Sequence, residues 1–125
     1  MFWLSMVFIG SFFGCTAVIA GAFGAHLLKE SLGEKFEVYQ LAVQYQLVHA
    51  LLLLCIAFVA NQVDTSWVKM SGVVTSLGIL FFSGSLYLLC FRSIRWLGFV
   101  TPLGGLFLVL GWAFLFLASL KLLVR

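Results

Sequence analysis

Charge is scarce in this chain: 9% of its 125 residues are Asp, Glu, Lys or Arg, while 64% are hydrophobic. Globular domains carry about 25% charged and 45–50% apolar residues, so this composition excludes a water-soluble enzyme, a disordered linker and a nucleic-acid-binding protein together. Proline occurs once. The three cysteines, Cys15, Cys55 and Cys90, lie in apolar stretches with no Cys-x-x-Cys or Cys/His spacing. They read as small buried hydrophobes rather than as a disulfide framework or a metal site. Paired carboxylates and Ser/His/Asp arrangements are missing, which removes acid/base and nucleophilic chemistry at apolar depth. The expectation is a protein that is not an enzyme, with no catalytic, cofactor-binding or metal-binding residues and no cofactor.

What is present is long apolar runs. The charges fall in four short stretches: Lys29 to Glu37, Asp64 and Lys69, Arg92 and Arg95, and Lys121 and Arg125. Between them run 27 uncharged residues (Phe2 to Leu28), then 26 (Val38 to Val63), 22 (Met70 to Phe91) and 25 (Trp96 to Leu120). Each exceeds the roughly 20 residues that cross a hydrocarbon core. The reading is an all-α integral membrane protein, one domain over residues 1–125, folded as a bundle of four transmembrane helices at about 3–28, 38–61, 68–91 and 101–121. A β-barrel is excluded because its strands alternate apolar and polar residues, whereas these runs are apolar on every face. The first run has no basic n-region and is too long for a signal-peptide core, so it reads as a retained helix. Four spans put both termini on the same side. Lys29, Lys35, Arg92 and Arg95 against Lys69, Lys121 and Arg125 tilt the first and third loops to the cytoplasm. The lipid bilayer is the expected partner, with a homo-oligomer or a larger membrane complex beside it and no nucleic acid.

Several boundaries carry local signals. Ser31-Leu32-Gly33-Glu34 reads as a capping box that starts the second helix near Leu32. Asp64 or Ser66 would cap the third helix. Thr101-Pro102 would start the fourth, with a proline kink inside a longer helix as the alternative. Trp3, Trp67 and Trp96 fall at span ends, where indole rings favour the headgroup zone. Trp112 lies mid-span, facing lipid or filling a gap between helices.

Two patterns stand out inside the spans. Gly10, Gly14, Ala17, Gly21 and Gly24 are spaced four, three, four and three, which holds them on one stripe of the first helix. Small residues let backbones approach closely in lipid, so the stripe reads as a packing seam, within the chain or between copies. Gly84, within Ser83-Gly84-Ser85, and Gly104, Gly105 and Gly111 read as further close-approach points. The second pattern is polar: Tyr45, Gln46 and His49, with Gln40 and Gln44 nearby, gather on the second helix, and the three-and-four spacing places Tyr45, Gln46 and His49 together. His26, at the end of the first helix, would lie level with about Gln40, an offset from His49 that argues against a shared haem, and no carboxylate or cysteine falls beside them to complete a metal site. His49 is expected to be neutral and held by a hydroxyl, amide or carbonyl of a neighbouring helix, Ser83 or Ser85 being candidates. The alternative is proton or substrate handling.

Gly21-Ala22-Phe23-Gly24-Ala25-His26, Tyr45-Gln46 with His49-Ala50-Leu51, Phe82-Ser83-Gly84-Ser85-Leu86-Tyr87, Thr101-Pro102-Leu103-Gly104-Gly105 and Gly111-Trp112 occur in that order over nearly the whole chain. In these motifs the chain resembles the YgdD-like family of small bacterial inner-membrane proteins, known as domain of unknown function 423, which eukaryotic transmembrane protein 256 resembles in turn. The resemblance implies a four-helix protein of the bacterial inner membrane and carries no activity or catalytic residues with it. Two functions remain open. One is a scaffold or accessory subunit that packs laterally through its glycine faces and Trp112. The other is a conduit or binding site for a small molecule, proton or lipid centred on Tyr45, Gln46 and His49. The few polar residues offered by the third and fourth helices favour the scaffold.

Overall fold

The computed structural model describes Met1 to Val124. The chain forms α1 (Phe2–Phe23), a five-residue π-helical turn (Gly24–Leu28), the short α2 (Lys29–Leu32), and the long helices α3 (Lys35–Gln62), α4 (Ser66–Phe91) and α5 (Leu97–Leu123). The first three elements run on as one helical segment, so four segments are long and apolar enough to cross a membrane. α3 and α4 form the central pair; α1 packs mainly on α3, and α5 mainly on α4. The outer helices turn most of their surface to lipid, as Phe8, Val18, Phe99 and Phe116 do.

Both hairpins close on seams of small residues. Along α1, a side chain at Gly10 would press on the Ala50 carbonyl and Leu53 at 3.1 Å, one at Gly21 would meet Val43 at 3.4 Å, and Gly24 leaves room for the Tyr39 ring. Ala17 is fully buried between them. Gly14 has more space, with Ala50 at 3.9 Å. The stripe is therefore filled by α3 of the same chain. The other hairpin repeats the device with a 3.5-residue period, which keeps one seam facing the partner helix. Gly104 lies against the backbone of Phe81 and Phe82, Gly78 against Leu108, and Gly111 against the Thr75 side chain. Ser71 donates to the Gly111 carbonyl at 2.6 Å, and the Ser85 and Thr101 hydroxyls pair at 2.6 Å. Among the described residues the Thr75 hydroxyl is the buried side-chain polar atom without a partner.

Several local expectations are corrected. No capping box forms at Ser31: its hydroxyl turns back to the Leu28 carbonyl, Gly33 takes a positive φ of 56°, and α3 starts at Lys35 without a side-chain cap. A left-handed turn at Gly33 aims Glu34 away from the Ser31 backbone, and only glycine adopts it without strain. α4 is capped by Thr65, whose hydroxyl accepts from the Val68 N–H, and not by Asp64 or Ser66. Asp64 instead pairs with Lys69 at the surface. α5 starts at Leu97 and runs through Pro102. Its missing N–H falls early in the helix, opposite the carbonyl of Gly98, a residue with no side chain and an exposed position. Membrane helices tolerate such a loss. Gly84 is not a close-approach point, since nothing lies within 4 Å of where its side chain would start. Gly72, against Met6 and Phe2, and Gly78 take that role on α4.

The π-helical turn also has a local cause. The Tyr39 ring lies against Gly24, and its hydroxyl donates to the Ala20 carbonyl. A side chain inserted at the helix backbone is a recognised source of such widened turns.

Candidate functional site

The polar residues of α3 divide between two faces. Gln46, 6% exposed, points between α1 and α4. Its amide nitrogen donates to the Phe13 carbonyl at 2.9 Å and to the Thr16 hydroxyl at 2.8 Å, and its oxygen accepts from the Tyr87 hydroxyl at 2.7 Å. One side chain thus joins three helices with both ends of its amide satisfied. It borders a groove of about 420 Å³ whose walls include Phe12, Thr16, Tyr39, Ser83 and Tyr87. The polar groups there are bonded within the chain: Ser83 donates to the Ala42 carbonyl at 2.8 Å, and Tyr39 to Ala20.

Tyr45 and His49 face the other way, towards α5. Their rings stack at 5.8 Å, Tyr45 also lies 4.6 Å from the Phe82 ring, and His49 meets the Trp112 indole edge-on at 6.3 Å. His49 Nδ1 is 2.7 Å from the Tyr45 carbonyl, and the Trp112 indole N–H donates to His49 Nε2 at 3.2 Å. An indole can only donate, so Nε2 must be unprotonated and the proton sits on Nδ1. The imidazole is neutral and both its nitrogens are used. Its cross-helix partner is therefore an indole of α5, correcting the expected hydroxyl, amide or carbonyl; Ser83 and Ser85 are engaged elsewhere. Trp112 keeps half its surface exposed while filling this edge. Replacing Trp112 by Phe should remove one hydrogen bond and cost about 0.6 kcal/mol, the average for membrane hydrogen bonds. His49→Ala, which also loses the ring packing, should cost more. Unfolding titrations in detergent that place the two in the opposite order would refute the pairing.

These aromatic residues wall a second groove, of about 610 Å³, between α3, α4 and α5. Gln44, Val48, Leu108 and Val109 complete it, and Gly105 gives it depth. It lies at the middle of the span: His49 is the fifteenth of the 28 residues of α3. Among the described residues, the Tyr45 hydroxyl and the Gln44 amide, both on exposed residues, make no hydrogen bond within the chain. His26 sits exposed on the π-helical turn and joins neither groove. Among the described residues no group of three or more His, Cys, Asp or Glu could hold a metal ion.

The model of a family described as a protein of unknown function (DUF423) matches residues 20–105, which hold Gln44, Tyr45, Gln46, His49 and the Gly104-Gly105 pair. The chain belongs to this family. Relatives match it over almost its whole length. A UPF0382 membrane protein of Staphylococcus epidermidis is 39% identical over 118 residues, 92% of this chain and 94% of its own length. The Bacillus subtilis membrane protein YwdK is 38% identical over 117 residues, 92% and 95% of the two chains. The Escherichia coli inner membrane protein YgdD is 35% identical over 118 residues, 94% and 90% of the two. No solved structure matches the chain. These relatives are named as membrane proteins, and this chain has four helices long and apolar enough to cross a membrane.

The sequence alone did not show that the Tyr45 and His49 face would be completed by Phe82 and Trp112. The mid-span position of Trp112 was the one available signal, since an indole N–H at that depth needs an acceptor.

Proposed function

We propose that this DUF423 protein is a non-enzymatic binding protein of the bacterial inner membrane, holding a membrane-dissolved ligand in the groove between α3, α4 and α5. The observation that carries this reading is the groove itself. It has the volume of a small-molecule site, aromatic walls, and a hydroxyl and an amide, both on exposed residues, that no other group of the chain engages. Pockets of about 300–1,000 Å³ with a few placed polar groups are the usual form of such sites. An unpaired polar group in hydrocarbon costs several kcal/mol, which an occupant with matching groups would offset.

The scaffold reading draws on glycine-lined faces and Trp112, and on the few polar residues of the third and fourth helices. Gly10, Gly21, Gly24, Gly104 and Gly111 are instead taken up by neighbouring helices of the same chain. A through-going conduit is also disfavoured, because Gln46 and His49 have their bonds closed locally instead of facing one another across a path. Lateral binding makes use of what the chain leaves open.

Gly105→Phe provides the test. A side chain at Gly105 starts 3.5 Å from the Phe82 ring, an ordinary contact, and a phenyl there would fill the groove. Protein extracted in native-lipid discs and analysed by mass spectrometry should carry a small molecule enriched over bulk lipid, and Gly105→Phe should lose it. Identical extracts from the two proteins would remove the proposal.

A further inference from the structure

We infer that the ligand of the α3–α4–α5 groove is an uncharged, flat ring bearing carbonyl oxygens on an apolar tail, the chemistry of the quinone class. This inference rests on the binding role proposed above and names its ligand.

Three observations lead there. First, no charged side chain lines the groove, so nothing in it would balance the phosphate of a phospholipid or an ionised amine. An unbalanced charge at the middle of a span is strongly disfavoured. Second, the walls are planar. Phe82, Tyr45, His49 and Trp112 follow one another at ring separations of 4.6, 5.8 and 6.3 Å. Aromatic faces and edges favour another ring over a flexible acyl chain, through stacked and edge-on contacts beyond the area buried. Third, the free polar groups can donate. The Trp112 N–H is committed to His49, and the His49 Nδ1 proton to its own helix. What remains is the Tyr45 O–H and the Gln44 amide, adjacent on α3 and at the groove wall. Both can donate to acceptor oxygens, and ring carbonyls supply such acceptors without charge.

The position fits as well. Gln44 lies about 7 Å along the helix axis from the midpoint of α3, at a rise of 1.5 Å per residue. A ring held there sits inside the hydrocarbon region, and its tail leaves sideways into lipid through the open mouth of the groove. Gly105 is the position that admits the ring: any larger side chain on that face of α5 would occupy its place.

The other groove is the internal comparison. It is also aromatic, but the Gln46, Ser83 and Tyr39 side chains that reach it are already paired within the chain. It offers a ligand fewer unmet donors.

The experiment uses the full chain in detergent micelles and three probes: a decyl-tailed benzoquinone, decylbenzene as the tail and ring without carbonyls, and phosphatidylglycerol. Binding is read by native mass spectrometry and by the shift in thermal unfolding. The decyl-benzoquinone should bind and raise the melting temperature, and neither control should do so at the same concentration. Gly105→Phe should weaken quinone binding by about tenfold or more, since the plug removes the space. Tyr45→Phe and Gln44→Leu should each weaken it several-fold while leaving the free protein as stable as the parent or more so, because each removes an unpaired polar group from lipid. Equal binding of decylbenzene and the quinone, or binding unaffected by all three substitutions, would overturn the quinone assignment. Phosphatidylglycerol retained in place of the quinone, and lost in Gly105→Phe, would overturn that assignment while upholding the groove as a binding site. No groove-dependent binding of any probe, together with no enriched molecule in native-lipid discs, would overturn both.

Discussion

Replacing Gly104 with leucine should break the α4–α5 hairpin, while the same change at Gly105, one residue further on, should leave it folded. The contrast follows from what a side chain would meet at each position. At Gly104 the first carbon would fall on the Phe82 nitrogen and the Phe81 carbonyl carbon, which belong to the α4 backbone and cannot rotate away. The helices would have to separate, losing the buried contacts of Leu108 and Ile79 and the Ser85–Thr101 and Ser71–Gly111 hydrogen bonds. Overpacking a site whose neighbours are side chains costs about 1–3 kcal/mol, and a backbone obstacle puts Gly104→Leu at or above the top of that range. At Gly105 the neighbour is the Phe82 ring at 3.5 Å, and the space beyond is the groove. Denaturant titrations of the two variants in one detergent check this. Equal stability of Gly104→Leu and the parent would mean that the helices do not approach as closely as described.

Gln46→Leu should be the most destabilising of the polar substitutions. It removes three hydrogen bonds that tie α3 to α1 and α4, and strands the Tyr87 hydroxyl in the wall of the α1–α3–α4 groove. Membrane hydrogen bonds average about 0.6 kcal/mol with a maximum near 1.7, so three together contribute roughly 2 kcal/mol. Tyr87→Phe deletes one of the three and should cost about a third as much. Equilibrium unfolding of the two single variants and the double variant gives the coupling between them. If Gln46→Leu costs no more than Tyr87→Phe, the amide is not the junction of three helices.

The four spans were legible because charge is confined to their ends, and the α1 seam because spacings of four and three stay on one helical stripe. Other features depended on register, which one sequence does not show. Gly84 and Gly78 look alike in the chain, yet Gly78 faces Leu108 and Gly84 faces open space. Tyr45, Gln46 and His49 share a side in a simple helical projection. A central helix with three neighbours, however, has no single inner face: adjacent residues differ by about 100° and reach different partners. Gln46 accordingly joins α1 and α4, and Tyr45 and His49 turn to α5. The indole partner of His49 lies 63 residues away, at a height set by where α5 begins. α5 starts at Leu97, earlier than Thr101-Pro102 predicts, because that pair is a strong boundary signal in water and a weaker one in lipid.

The central claim, that the α3–α4–α5 groove selects an occupant from the bilayer, is tested most directly by photo-crosslinking in native membranes. A benzophenone side chain at Val109, on the groove wall, is compared with one at Val18, on the lipid-facing surface of α1. The account predicts a discrete small-molecule adduct at Val109, absent at Val18 and abolished by Gly105→Phe. The same mixture of phospholipid adducts at both positions, unchanged by Gly105→Phe, would contradict it.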